Sequence, residues 1–350
     1  MQITDFLKRA AEDDASDLFV LAGSPVIEKK DGHIVRLTED ALMPEDTKQL
    51  IAEIYSMASR DMERYERTGD DDFSFAIAEL ARFRVNAYRQ RGSLAAVIRV
   101  VAFDIPDWQK LHISEEVMKL AEVSDGLVLV TGTAGNGKST TQACIIDRIN
   151  QTKEAHIVTL EDPIEYLHAH KKSIISQREI SIDTEDYPSA LRACLRQAPD
   201  VILLGEMRDA ETMRTAMTAA ETGHLVIATL HTKGAVNTID RILDSFPSEQ
   251  QAQVRVQLSM VLRTVVSQQL VPNTEGCFVP AFEIMHADHA IRNMIRDNKN
   301  HQITNAMLAG AGSGMVTMDR YLQGLYERKV ITKETLLSYC DNPEAVQKRV

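Results

Sequence analysis

Apolar residues change their spacing twice along this chain. In the first hundred residues they come in short runs: 17–21, 26–30 and 33–36 read as strands, broken by Gly23-Ser24-Pro25 and by Asp31-Gly32. The Asp31-Gly32 pair predicts a hairpin turn. Residues 1–14 read as an amphipathic, charged helix, and 45–67 carry helical periodicity. Strand character returns at 73–77, 81–88 and 95–101. This predicts a small α+β domain over 1–101, followed by a linker over 102–112 that Pro106 punctuates.

From Gly126 the runs become nearly continuous, at 127–131, 156–160, 201–205 and 225–230, with helical stretches between them. Such runs predict strands buried on both faces of a parallel sheet. Beyond Gly234 the pattern is almost wholly helical, and only 278–284 suggests another strand. The second domain is therefore expected over 113–350, with a helical carboxyl-terminal portion and no internal repeat.

Composition narrows the class without changing that picture. A chain of 350 residues exceeds what one core usually supports, and 44% hydrophobic with 26% charged residues describes an ordinary folded protein. No stretch approaches the roughly 18 to 20 apolar residues of a membrane helix, and the opening lacks a secretory signal. A cytoplasmic location is expected. Cys144, Cys194, Cys277 and Cys340 are widely scattered, a spacing that suggests neither a disulfide framework nor a zinc site. The formal charge of −12 argues against stable nucleic-acid binding, which needs a positive field.

The chemistry concentrates after the run at 127–131. Gly132, Thr133, Ala134, Gly135, Asn136, Gly137, Lys138 and Ser139 satisfy G-x-x-x-x-G-K-[ST], between a strand and a helix expected to reach about Asn150. Glycines allow backbone N–H groups and a helix N-terminus to face a polyphosphate. Lys138 supplies charge to the β and γ phosphates, the Ser139 hydroxyl suits Mg2+, and Thr140 reaches toward the α phosphate.

Such a loop needs a carboxylate on a neighbouring strand for Mg2+, held through water, and an acceptor for the proton of the attacking water. The run at 201–205 ends in Glu206, which puts that carboxylate at the sheet's carboxyl edge on the magnesium side. Glu161, Asp162 and Glu165 follow another strand. An acidic group there also suits a solvated loop, but beside a phosphate loop Glu165 is the candidate general base. His224 and His231 bracket the run at 225–230; His231 lies at its carboxyl end, where a donor would sense the γ-phosphate. In the first domain, period two puts Arg84 and Arg99 on the non-core face. They are solvent-facing arginines or arginine fingers that reach a nucleotide.

Along nearly the whole chain this constellation resembles the secretion-type ATPases of the RecA-like superfamily. Ala15-Ser16-Asp17-Leu18 is similar to that family's amino-terminal signature, 159–166 to its aspartate box, 205–209 to its atypical Walker B and 220–232 to its histidine box. Residues 290–297 resemble the helical signature of the type IV pilus retraction (PilT) branch, departing only at Met294 and Asp297. Phe19 stands where histidine is usual, and Thr133, Ala134 and Asn136 stand where proline, threonine and serine are commoner. The resemblance implies a RecA-like P-loop ATPase domain preceded by a small α+β, PAS-like domain. It implies an ATP- and Mg2+-dependent motor in which Glu165 is the base, Ser139 and Glu206 serve the metal, His231 lies near the γ-phosphate and Arg84 and Arg99 are fingers. It further implies a homo-hexamer at the inner face of the cell membrane, working with an inner-membrane platform protein and the pilus base machinery.

Three other readings use the same boxes: an accessory retraction ATPase, a pilus-extension or type II secretion ATPase, and a RecA-like DNA translocase. The second usually carries a further amino-terminal domain and a four-cysteine zinc insertion, and neither is found in these residues. The third conflicts with the acidic charge and the lack of a basic, aromatic-rich groove.

Overall fold

A computed structural model of the chain describes residues 2–30, 32–78, 80–101 and 105–348. It divides into two compact units, Met1–Ile105 with Glu165–Leu167, and Pro106–Ile164 with His168–Val350. Residues 102–104 of the expected linker, and Asp31 of the expected turn, lie outside the described residues.

The first unit contains α1 (Ile3–Glu12), β1 (Asp17–Val20), β2 (Ile27–Lys30), β3 (His33–Arg36), α2 (Pro44–Met57), α3 (Glu63–Thr68), β4 (Asp70–Ile77), β5 (Ala81–Gln90) and β6 (Ser93–Val101). Its strands form an antiparallel sheet in the order β3-β2-β1-β6-β5-β4. Helix α1 buries Ile3, Leu7 and Ala10, spaced by three and four residues as one helical face requires. The single helix expected over 45–67 is two. The chain breaks at Ser59, whose φ of 51° lies in the left-handed region that a β-carbon disfavours, and the Asp61 carboxylate then accepts from the Glu63 N–H at 3.1 Å. Between the helices and the sheet, buried Asp71 accepts from Arg60 twice at 2.9 Å and from the Tyr55 hydroxyl at 3.1 Å. Burial, and then the Asp71 charge, push the Tyr55 phenol far above its ordinary range.

The second unit contains α4 (Glu115–Met118), β7 (Gly126–Thr131), α5 (Lys138–Thr152), β8 (His156–Glu161), β9 (Ile174–Glu179), α6 (Tyr187–Cys194), β10 (Val201–Leu204), α7 (Ala210–Glu221), β11 (Leu225–Leu230), α8 (Ala235–Asp244), α9 (Ser248–Val261), β12 (Leu262–Pro272), β13 (Phe278–His286) and α10 (His289–Arg296), followed by further helices. The sheet order is β13-β12-β7-β11-β10-β8-β9, parallel throughout except for β13. Every residue of β7, β10 and β11 is buried, because helices cover both faces. This is the α/β arrangement of a RecA-like domain, preceded by the α+β unit.

Two strands depart from the expected pattern. β9 is an edge strand of mixed polarity, paired with β8 among the described residues. β12 overturns the nearly all-helical reading beyond Gly234. It starts at Leu262 directly where α9 ends at Val261, with no turn residue between them, and it places eleven residues between β7 and β13.

Candidate active site

The parallel strands bring their carboxyl ends to one edge. There β7 runs into the glycine loop, β11 into His231, β10 into Glu206 and β8 into Glu161. Ligands of open α/β sheets bind at this edge.

Gly132 leaves β7 at φ 143°, and a β-carbon on it would lie 2.4 Å from the Gln268 carbonyl of β12. Only glycine fits so close to another backbone. Gly137, at φ 75°, precedes the first residue of α5, Lys138. The Lys138 stem is buried with the residue 8% exposed, and its Nζ donates to the Thr133 carbonyl at 3.0 Å. Ser139 and Thr140 are half-buried at the same helix start, while Thr133, Ala134 and Gly135 arch outward into solvent.

Sequence reading missed the support that β12 gives this loop. Gln268 is 2% exposed, and its Oε1 accepts from the Thr141 hydroxyl at 2.7 Å. The Leu270 N–H donates to Asn136 Oδ1 at 2.9 Å. Gln268→Leu would leave the buried Thr141 hydroxyl without that acceptor. The variant should lose about 1–3 kcal/mol of stability, read as a lower thermal unfolding midpoint.

Glu206 is enclosed at this edge, its side chain 10% exposed. One oxygen is ion-paired with Arg208, and the other lies 3.3 Å from His231 Nε2. The hydrogen bond to Glu206 holds the Arg208 guanidinium above its ordinary pKa. Arg208 also escaped the sequence reading, although its place two residues after a strand-end glutamate was visible. Behind it, a β-carbon on Gly205 would meet the Tyr187 hydroxyl at 2.8 Å. Burial, and then the charges of Glu206, Asp162 and Glu161, push that phenol well up. The Thr229 hydroxyl bonds the Gly205 carbonyl, and Met207 N–H donates to Thr229 O at 3.0 Å, so β11 fixes the turn that carries Glu206.

The aspartate-box acids separate. Glu161 accepts from Thr159 Oγ1 at 2.6 Å and from Gln177 Nε2 at 3.3 Å, a strand-bracing role. Asp162 and Glu165 are exposed, and Glu165 belongs to the stretch 165–167 that groups with the first unit. His224 lies at the opposite end of β11, bonded to Ala219 O at 2.9 Å.

In the first unit Arg84 and Arg99 stand directly opposite each other on β5 and β6. Their face is opposite that of Phe83, Val85 and Ile98, which are wholly buried. Arg99 Nε donates to Asp17 Oδ1 at 3.0 Å. Helix α10 buries Ile291 and Ile295, with Asp288 capping its first turn, and leaves Arg296 exposed. Among the described residues no helix is long and apolar enough to cross a membrane.

The family model for the type II/IV secretion system protein matches residues 1–335. The chain is 44% identical over 345 residues to the type IV pilus retraction ATPase PilT of Pseudomonas aeruginosa, covering 98% of this chain and 99% of that one. It is 44% identical over 307 residues to the twitching motility protein of Neisseria gonorrhoeae, covering 87% and 82%. The crystal structure of the pilus retraction motor PilT with bound ADP superposes with a TM-score of 0.91 at 45% identity, covering 99% of each chain.

Proposed function

The chain belongs to the type II/IV secretion system protein family, and we propose from that membership and its site that it is an ATP-hydrolysing motor powering type IV pilus retraction. The single observation that carries the reading is the full-length match to a retraction ATPase, which spans the motor's phosphate loop and the retraction signature at 290–297 alike.

The loop 132–137 and the N-terminus of α5 suit the phosphates of ATP, with Lys138 meeting the β and γ groups. Ser139 and Glu206 form a set of hard oxygen donors, one hydroxyl and one carboxylate. Such a set would fit Mg2+, with Ser139 as a ligand and Glu206 holding the ion through water. Bound there, the ion would supply positive charge against the charge developing on the transferred phosphoryl group. Glu165 accepts the proton of the attacking water, and His231 senses the γ-phosphate from the end of β11.

Arg84 and Arg99 are the arginine fingers of this reading. Like charges directly opposite on neighbouring strands cost stability, and only Arg99 is offset by Asp17. An anionic ligand would relieve that repulsion. Their place in the amino-terminal unit supports a homo-hexamer in which each copy completes a neighbour's site. Cyclic closure about ATP then moves rigid blocks relative to one another. Retraction requires a site of action at the cytoplasmic face of the inner membrane, against a platform protein at the pilus base.

Purified protein should release phosphate from ATP with Mg2+ and stop when EDTA removes the metal. Phosphate release unaffected by EDTA would remove the metal from the account.

A further inference from the structure

Two of the positions at which the phosphate loop departs from the commoner family pattern, Thr133 and Asn136, are bonded to each other. Asn136 Nδ2 donates to Thr133 Oγ1 at 2.6 Å, while its Oδ1 accepts from the Leu270 N–H at 2.9 Å. A backbone N–H is only a donor, so the amide oxygen must face Leu270 and the NH2 must face the threonine hydroxyl.

The strand geometry explains why an acceptor is needed there. The β7–β12 ladder ends at the pair Thr131 and Ser267, because β7 then turns into the loop. On its other side Leu270 stands opposite Pro280 of β13, while its N–H faces away from that strand toward Asn136. The Leu270 N–H points toward the loop, past the last residue of β7, and the Asn136 side chain takes the place of the missing strand. The outward arm of the loop, Thr133, Ala134 and Gly135, is exposed, and its tether is this bond to Asn136. Thr133 is the residue whose carbonyl receives Lys138 Nζ at 3.0 Å. A clasp on Thr133 therefore also restrains the lysine's resting position.

The geometry points to Asn136 as a positioning residue that ties the outer arm of the phosphate loop to the end of β12 and sets the affinity for adenine nucleotide before any phosphate contact forms. This rests on the reading that the loop takes ATP. Only an amide presents an acceptor and a donor far enough from the backbone to serve both partners; a serine hydroxyl, one bond beyond Cβ, reaches one of them. Holding the loop in its binding conformation removes an ordering cost from association, so losing the clasp weakens binding.

The test is binding of a fluorescent ADP analogue by stopped flow to the full-length chain and to Asn136→Ala, Asn136→Ser, Thr133→Val and the Thr133→Val/Asn136→Ala double variant. Asn136→Ala should raise Kd about tenfold, since it orphans the Leu270 donor as well as the threonine hydroxyl. Asn136→Ser should fall between it and the parent. Thr133→Val removes only an exposed bond and should raise Kd about threefold. The double variant should be no weaker than Asn136→Ala, because the bond that Thr133→Val removes is already lost there. Asn136→Ala and Asn136→Ser within about twofold of the parent, or changes that simply add in the double variant, would overturn the clasp. A lower thermal midpoint with unchanged Kd would also overturn it, since a merely structural role gives that pattern. A parent chain that binds no adenine nucleotide would instead overturn the ATPase reading.

Discussion

Lys138→Ala should release phosphate from ATP about 10² to 10³ times more slowly than the parent, the usual cost of deleting one preorganised charge stabiliser at a transition state. The argument starts from position. Lys138 is the first residue of α5, its stem is buried, and its Nζ rests 3.0 Å from the Thr133 carbonyl within the loop itself. In the proposed site the ammonium leaves that carbonyl for the β and γ phosphates of a nucleotide seated on the helix N-terminus. Alanine keeps the helix, for which it is the best former, and removes the charge, so the loss should appear in turnover while the far-ultraviolet circular dichroism stays that of the parent. The measurement is phosphate release at saturating ATP and Mg2+. A Lys138→Ala protein as active as the parent would refute the site.

Glu165→Gln should lose a factor of about 10² to 10⁴ in kcat, the range for removing a general base, with nucleotide affinity close to that of the parent. Glutamine is nearly the same shape as glutamate but does not accept a proton at neutral pH. The change therefore separates proton transfer from packing. Glu165 is exposed in the stretch 165–167, whereas Glu161 is spent on Thr159 and Gln177. Of the aspartate-box acids, Asp162 and Glu165 are thus clear of that strand-bracing work, and Glu165 is the one the family resemblance makes the base. Single-turnover phosphate release, measured beside equilibrium nucleotide binding, checks this. Turnover unchanged by Glu165→Gln would end its assignment as base, and the water would need another acceptor.

The parts of this site legible in the sequence are those whose signal is local. The phosphate loop needs its residues in one order between a strand and a helix, and β7 and α5 supply that context. Glu206 and His231 were legible because each follows a short apolar run, and a run buried in a parallel sheet ends at the ligand edge. The support of the loop was not legible, because it comes from a strand far along the chain. β12 follows α9 without a break, and Leu262, Val265 and Val266 suit a buried helix as well as a strand. With β12 read as helix, Gln268 and Leu270 had no reason to meet Thr141 and Asn136. Arg208 was hidden differently. Its partner Glu206 is two residues away, and only the turn after β10 brings their side chains together. In the first unit, alternation along β5 and β6 put Arg84 and Arg99 on one face, but the Asp17 carboxylate that holds Arg99 belongs to β1, 82 residues earlier. The break between α2 and α3 depends on a left-handed Ser59, which the helical periodicity of that stretch conceals.

The direction of the motor's work is the central claim, and the number of pili on cells lacking this gene tests it most directly. Deletion should leave cells with excess surface pili that do not retract and no twitching motility, and the parent gene, but not its Lys138→Ala form, should restore retraction. Bald cells would contradict the account by showing that the motor extends pili, and unchanged piliation would contradict it by showing that retraction does not depend on this chain.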